Sequence, residues 1–182
     1  MNTPNKLTVL RIILVPVLLA VIYLMKESLT TSFITAGLFA LISLTDMLDG
    51  KIARKYNLVT NFGKFLDPLA DKILVVSVLV AFISKGYISS VPVIIVIIRE
   101  FTVTSLRLIA ASDNVVIAAS NFGKLKTVFQ ILTIIVLFFY PVVTEVINFP
   151  VCEILVWIMA VITVLSGVDY LAKNISIIDY RK

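Results

Sequence analysis

Long apolar runs follow one another along this chain with only short polar joints between them, and that feature narrows the available folds more than any other. The runs open near Leu7, Thr31, Leu66, Val91, Phe122 and Val151. Each lasts for roughly the 20 residues that a helix needs to cross a hydrocarbon core about 30 Å thick. Of the 182 residues 60% are hydrophobic, mean hydropathy is +1.08, and only 15% are charged, against about 25% in a soluble domain. The expected fold is therefore all-α: a polytopic membrane protein of six transmembrane helices, forming one domain over residues 1–182. The first run, Leu7 to Leu24, is too long for a signal-peptide core and is read as a retained span.

The spans are expected at about 7–24, 31–53, 66–84, 91–111, 122–141 and 151–172, with Lys26-Glu27-Ser28 and Lys85-Gly86 as joints. Pro92 suits the first turn of a helix. Pro68 is harder, because it follows Asp67 and removes a helix hydrogen bond, so the third span either starts there or is kinked. With the N-terminus inside, Lys26 and Lys85 lie outside, Arg99 lies within a span, and the other Lys and Arg residues fall on the cytosolic side. That bias sets the orientation, with both termini cytosolic. No nucleic-acid partner is expected from a basic excess distributed in this way.

Four carboxylates break into the second and third runs. Asp46 and Asp49 are three residues apart, and Asp67 and Asp71 are four apart, so on helices each pair projects from one face. Counted at 1.5 Å per residue from the outer ends, the four fall at about 21–29 Å, one level near the cytosolic interface. Ionised side chains inside a bilayer are costly, which calls for compensation. Pairing with Lys51, Arg54, Lys64 and Lys72 would explain a single such acid, but four at matched depth and helical spacing point to a divalent cation. The chain has no His and only one cysteine, Cys152, so a bound ion must take oxygen ligands, which suits Mg²⁺ or Mn²⁺. Gly50 and Gly63 leave room for another helix or a phosphate to approach the backbone.

The run Asp46-x-x-Asp49-Gly50-x-x-Ala53-Arg54, eight residues, Gly63-x-x-x-Asp67-x-x-x-Asp71 resembles, without substitution, the signature of the CDP-alcohol phosphotransferase family. The leader from Asn2 to Arg11, the segment from Arg99 to Arg107 and the segment from Gly123 to Gln130 are similar to the phosphatidylglycerophosphate synthase branch of that family. The resemblance implies an enzyme that transfers the phosphatidyl group of CDP-diacylglycerol to sn-glycerol 3-phosphate and releases CMP. It implies one or two Mg²⁺ or Mn²⁺ ions on Asp46, Asp49, Asp67 and Asp71, with Asp71 as the proton acceptor. Contacts to CDP-diacylglycerol are implied for Gly50, Arg54 and Gly63, with Asn5, Thr8 and Thr60 as further candidates. Family resemblance also leads to a homodimer in the cell membrane whose active site faces the cytoplasm.

The acceptor is a dianion and needs fixed positive charge. Arg99, Arg107, Lys124 and Lys126 are the candidates for its phosphate, since a guanidinium fork matches phosphate oxygens. Arg99 beside Glu100 reads equally well as a buried ion pair that orients helices. Two rival functions are open: the same chemistry with inositol phosphate, phosphatidylglycerol or serine as acceptor, and a cation transporter built on intramembrane carboxylates. The transporter reading calls for acids at the midplane and an inverted repeat, and the sequence has neither.

Overall fold

Helices make up all the regular structure of the described residues, as expected from the apolar runs. The computed structural model describes residues 3–55, 61–112, 120–147 and 149–174, with side chains described for 8–45, 69–110, 120, 122–147 and 149–174. In chain order the helices are α1 (Thr3–Leu24), α2 (Leu29–Lys55), α3 (Asn61–Ser84), α4 (Ser90–Ser112), α5 (Asn121–Phe138), α6 (Tyr140–Val146) and α7 (Val151–Asn174). α1 packs against both α2 and α3, and α7 against both α4 and α5; the two groups meet where α2 lies on α5 and α3 on α4.

The end of α3 follows from local chemistry. Gly86 adopts φ +72°, a left-handed conformation that costs an L side chain about 1–2 kcal/mol. This lets the Tyr87 N–H reach the Phe82 carbonyl at 3.0 Å and the Gly86 N–H reach that of Ile83 at 2.9 Å, satisfying two carbonyls that the helix leaves open. The fifth span departs from expectation. Instead of continuing to Tyr140-Pro141, α5 stops at Phe138, and the chain turns by 72° into the seven-residue α6. Pro141 cannot donate the bond that would extend α5, and the Phe139 N–H closes the last turn onto the Val136 carbonyl at 2.9 Å.

One continuous apolar core fills the half of the bundle nearest the α1–α2 and α3–α4 joints. It includes Leu18, Phe39, Val78, Phe82, Val96, Leu137 and Met159, all fully or almost fully buried. Phe138 packs edge-on against Phe82 at 5.1 Å and tilted against Phe39 at 5.7 Å, joining α2, α3 and α5. At the other end, among the described residues, a small cluster of Val103, Leu106 and Tyr170 closes α4 against α7. Beside the large core, α2, α3, α4 and α5 line a groove.

Among the described residues, α7 alone is by itself long and apolar enough to cross a membrane; α5 and α6 qualify only as a bent pair. The parts of α1 and α2 whose side chains are described, Thr8–Leu24 and Leu29–Thr45, are apolar as well. α4 carries Arg99, Glu100 and Arg107 within its apolar run, and these ionised groups lower its membrane character.

Candidate active site

The groove is lined by four helices, α2 to α5, and braced by a fifth, α7. Counted from their ends at the densely packed half, Asp71 lies about 20 Å along α3, Glu100 about 15 Å along α4 and Lys126 about 18 Å along α5. Similar depth on neighbouring helices is what brings these charges together.

Glu100 is the node. Its Oε1 accepts bonds from Lys126 Nζ and from Arg99 Nη1, the latter at 3.2 Å, and its Oε2 lies 3.9 Å from Lys72 Nζ. The Lys126 side chain is only 4% exposed and that of Glu100 13%, so neither charge is well hydrated. A buried ion pair of this kind does little for net stability, but losing one partner strands the other at a cost of about 3–5 kcal/mol. α7 supports the cluster from behind. Arg99 Nη2 donates to Ser166 Oγ at 2.8 Å, and Arg107 Nε donates to the Tyr170 hydroxyl at 3.1 Å with its guanidinium over that ring. Gly167 leaves space for the stem of Arg99, since a Cβ there would lie 3.0 Å from Arg99 Cγ.

Two chambers share this cluster. The first, about 480 Å³, has largely apolar walls from α2, α3 and α5, including Ala40, Leu44, Val75, Val76, Ile131 and Ile135. The second, about 400 Å³, is lined by Arg99, Arg107, Gly123 and Lys124. Asp71, Lys72, Glu100 and Thr127 belong to both, so an apolar chamber and a basic one meet at a pair of carboxylates. The basic chamber also receives the start of α5, where Ser120 Oγ caps the Gly123 N–H at 3.0 Å and the positive helix end favours an anion.

Arg99, Arg107 and Lys124, singled out from sequence for the acceptor phosphate, thus come together around one chamber, and Lys126 faces the other while bound to Glu100. Asp71 is exposed at the junction. Thr8 is buried on α1 and is not among the residues lining either chamber. Asp46, Asp49, Gly50 and Arg54 lie on α2, Gly63 and Asp67 on α3 and Asn5 on α1, but their side chains fall outside the described residues, and so does Thr60 altogether. Helical backbone through 46–49 and 67–71 gives each acidic pair the spacing that puts it on one face. Among the described residues no three His, Cys, Asp or Glu side chains form a metal cluster. Sequence reasoning missed Lys72, Thr127 and Gln130 as groove residues. It noted Glu100 only as a neighbour of Arg99, although a charge inside an apolar run is itself a signal that partners are required.

A sequence model of the CDP-alcohol phosphatidyltransferase family matches residues 1–166. The chain belongs to the CDP-alcohol phosphatidyltransferase family. Within that family it is similar to the CDP-diacylglycerol–glycerol-3-phosphate 3-phosphatidyltransferase of Bacillus subtilis (strain 168), at 40% identity over 95% of each chain. Proteins of the same name are 39% identical in Rickettsia typhi, over 93% of this chain and 94% of the relative, and 38% identical in Haemophilus influenzae, over 93% and 91%.

Proposed function

We propose that this chain transfers the phosphatidyl group of CDP-diacylglycerol to sn-glycerol 3-phosphate, giving phosphatidylglycerophosphate and CMP. The observation that carries this reading is the junction at Asp71. An apolar chamber suited to the diacylglycerol portion and a basic chamber suited to a phosphate dianion open onto the same carboxylate. The similarity to enzymes named for this reaction, over nearly the whole chain, supports the same substrates.

In this mechanism Arg99, Arg107 and Lys124 hold the acceptor phosphate and leave its primary hydroxyl directed at Asp71. Asp71 takes the hydroxyl proton as the oxygen bonds to the phosphorus that bears the diacylglycerol. The bond from that phosphorus to the bridging oxygen of CMP breaks, and CMP leaves with the electron pair. Asp46, Asp49, Asp67 and Asp71 would hold the divalent ions: all four donors are carboxylates in helical register, a set that fits Mg²⁺ or Mn²⁺. Such ions, when bound, supply charge neutralisation at the pyrophosphate and the leaving group. Gly50, Gly63 and Arg54 serve the CDP moiety, with Asn5, Thr8 and Thr60 as weaker contributors.

The enzyme is further read as a six-span protein of the cell membrane, with both termini and the groove on the cytoplasmic side, acting as a homodimer. Helices α1 to α5 and α7, of 18 to 27 residues, support six crossings. Large apolar side chains on their outer faces, among them Ile13, Leu41, Ile98, Val128 and Val168, support contact with lipid. Product analysis with purified protein, CDP-diacylglycerol and a panel of acceptors tests the reaction. Phosphatidylglycerophosphate is expected as the main product, and preferential use of inositol phosphate, phosphatidylglycerol or serine would overturn the acceptor assignment.

A further inference from the structure

Glu100 lines both chambers, yet an anionic wall disfavours a dianionic acceptor on charge alone. Its two oxygens are used unequally. Oε1 takes the bonds from Lys126 and Arg99, whereas Oε2 faces only Lys72 among the described residues, at 3.9 Å and outside hydrogen-bond reach. Oε2 therefore keeps its capacity to accept a hydrogen bond at the junction of the chambers.

The acceptor has to run across this junction. With its phosphate among Arg99, Arg107 and Lys124 and its primary hydroxyl at Asp71, its middle carbon passes the shared wall of Lys72, Glu100 and Thr127. Lys72 can only donate. The Thr127 hydroxyl donates to the Gly123 carbonyl at 3.0 Å and keeps only the acceptor strength of a neutral oxygen, weaker than a carboxylate. With Asp71 engaged as the base, Glu100 Oε2 is the charged oxygen on that wall placed to accept a hydrogen bond from the middle carbon's hydroxyl.

We propose that Glu100 accepts a hydrogen bond from the secondary hydroxyl of the three-carbon acceptor and so sets acceptor choice; this rests on the glycerol-phosphate reading given above. The three cations around Glu100 hold its carboxylate in place for that contact and offset its charge toward the phosphate. Glu100 is thereby a specificity residue, and the proton transfer stays with Asp71.

The test compares sn-glycerol 3-phosphate with 3-hydroxypropyl phosphate, which keeps the phosphate and primary hydroxyl and lacks the secondary one. CMP release is followed with the full-length protein in micelles containing CDP-diacylglycerol. Wild type is expected to show a kcat/KM lower by about ten- to a hundredfold for the deoxy acceptor. In Glu100→Met that ratio should shrink toward unity, with the KM for CDP-diacylglycerol unchanged. The double variant Glu100→Met/Lys126→Met, which removes the buried cation together with its partner, gives the same readout if the single variant does not fold. Equal use of both acceptors by wild type, or an unaltered ratio in a folded variant, would overturn the inference. So would loss of turnover with both acceptors in a double variant that melts like wild type. Failure of wild type to use sn-glycerol 3-phosphate at all would instead remove the acceptor reading on which the inference rests.

Discussion

Glu100 and Lys126 are bonded to each other but do not depend on each other equally. Without Lys126, the Glu100 carboxylate keeps Arg99 at 3.2 Å and Lys72 at 3.9 Å. Without Glu100, the ammonium of Lys126, 4% exposed, loses its bonded carboxylate. Chemical denaturation should show Glu100→Met destabilising by about 3–5 kcal/mol. Lys126→Met should cost about 1–2 kcal/mol, nearer the value of one charged hydrogen bond, and the double variant should recover most of the larger loss. Equal single effects would contradict this asymmetry. Gly167 gives a second test at this scale. A methyl group there meets Arg99 Cγ at 3.0 Å while Ser166 and Glu100 hold the far end of the same side chain. If Arg99 holds the acceptor phosphate as proposed, Gly167→Ala is expected to raise the KM for the acceptor by roughly three- to tenfold, because small displacements of such a group are costly, while the KM for CDP-diacylglycerol stays as it was.

Among the elements, those ended by local chemistry were the ones legible in the sequence. Lys85-Gly86 marks the end of α3 because a left-handed residue is needed there and glycine takes that conformation without strain. Gly86→Ala should lower the melting temperature by about 2–8 °C, which scanning calorimetry can read, with kcat unchanged. α3 itself starts at Asn61, five residues ahead of the expected Leu66, because Asn61-Phe-Gly-Lys reads as polar joint although the helical ladder continues through it and through Pro68. α6 was not legible: it has no buried residues and owes its direction to the turn at Phe139 and Pro141. The site divides in the same way. Arg99, Arg107 and Lys124 could be chosen by charge and position, whereas the bond of Glu100 to a lysine 26 residues away depends on how α4 meets α5.

Across the whole molecule, the dense core lies toward one end of the bundle and the groove toward the other, so the joints at the core end can be altered without touching the groove. At the densely packed end, in the joints outside the spans, Tyr87 stacks on Tyr140 at 4.3 Å, and Lys85 Nζ donates to Glu27 Oε1 at 3.1 Å. A hydrogen bond from the Tyr87 hydroxyl, helped by Lys85 and opposed by slight burial, holds the Glu27 carboxyl below its ordinary range. Burial first, then Glu27, pushes the Tyr87 hydroxyl well above the usual tyrosine value. A lowered carboxylate value contributes stability above the ordinary 4.5, which is lost as pH falls through the folded value. A raised tyrosine value gives stability present below 10.0 and lost as pH rises beyond it. The melting temperature should therefore be flat across neutral pH and decline at both extremes. Glu27→Gln should remove the Glu27 part of the acid-side decline, by only about 1–2 °C because the pair is half exposed and screened. An unaltered acid limb in that variant would contradict the assignment.

At the same scale, the proposed chemistry relies on helices from both halves of the bundle bringing carboxylates and cations to one groove. CMP release from CDP-diacylglycerol with sn-glycerol 3-phosphate, measured for wild type and Asp71→Asn with and without chelator, tests this most directly. The expected result is turnover by wild type that requires a divalent cation and is abolished in a folded Asp71→Asn protein. Turnover that persists in chelator, or in Asp71→Asn, would contradict it.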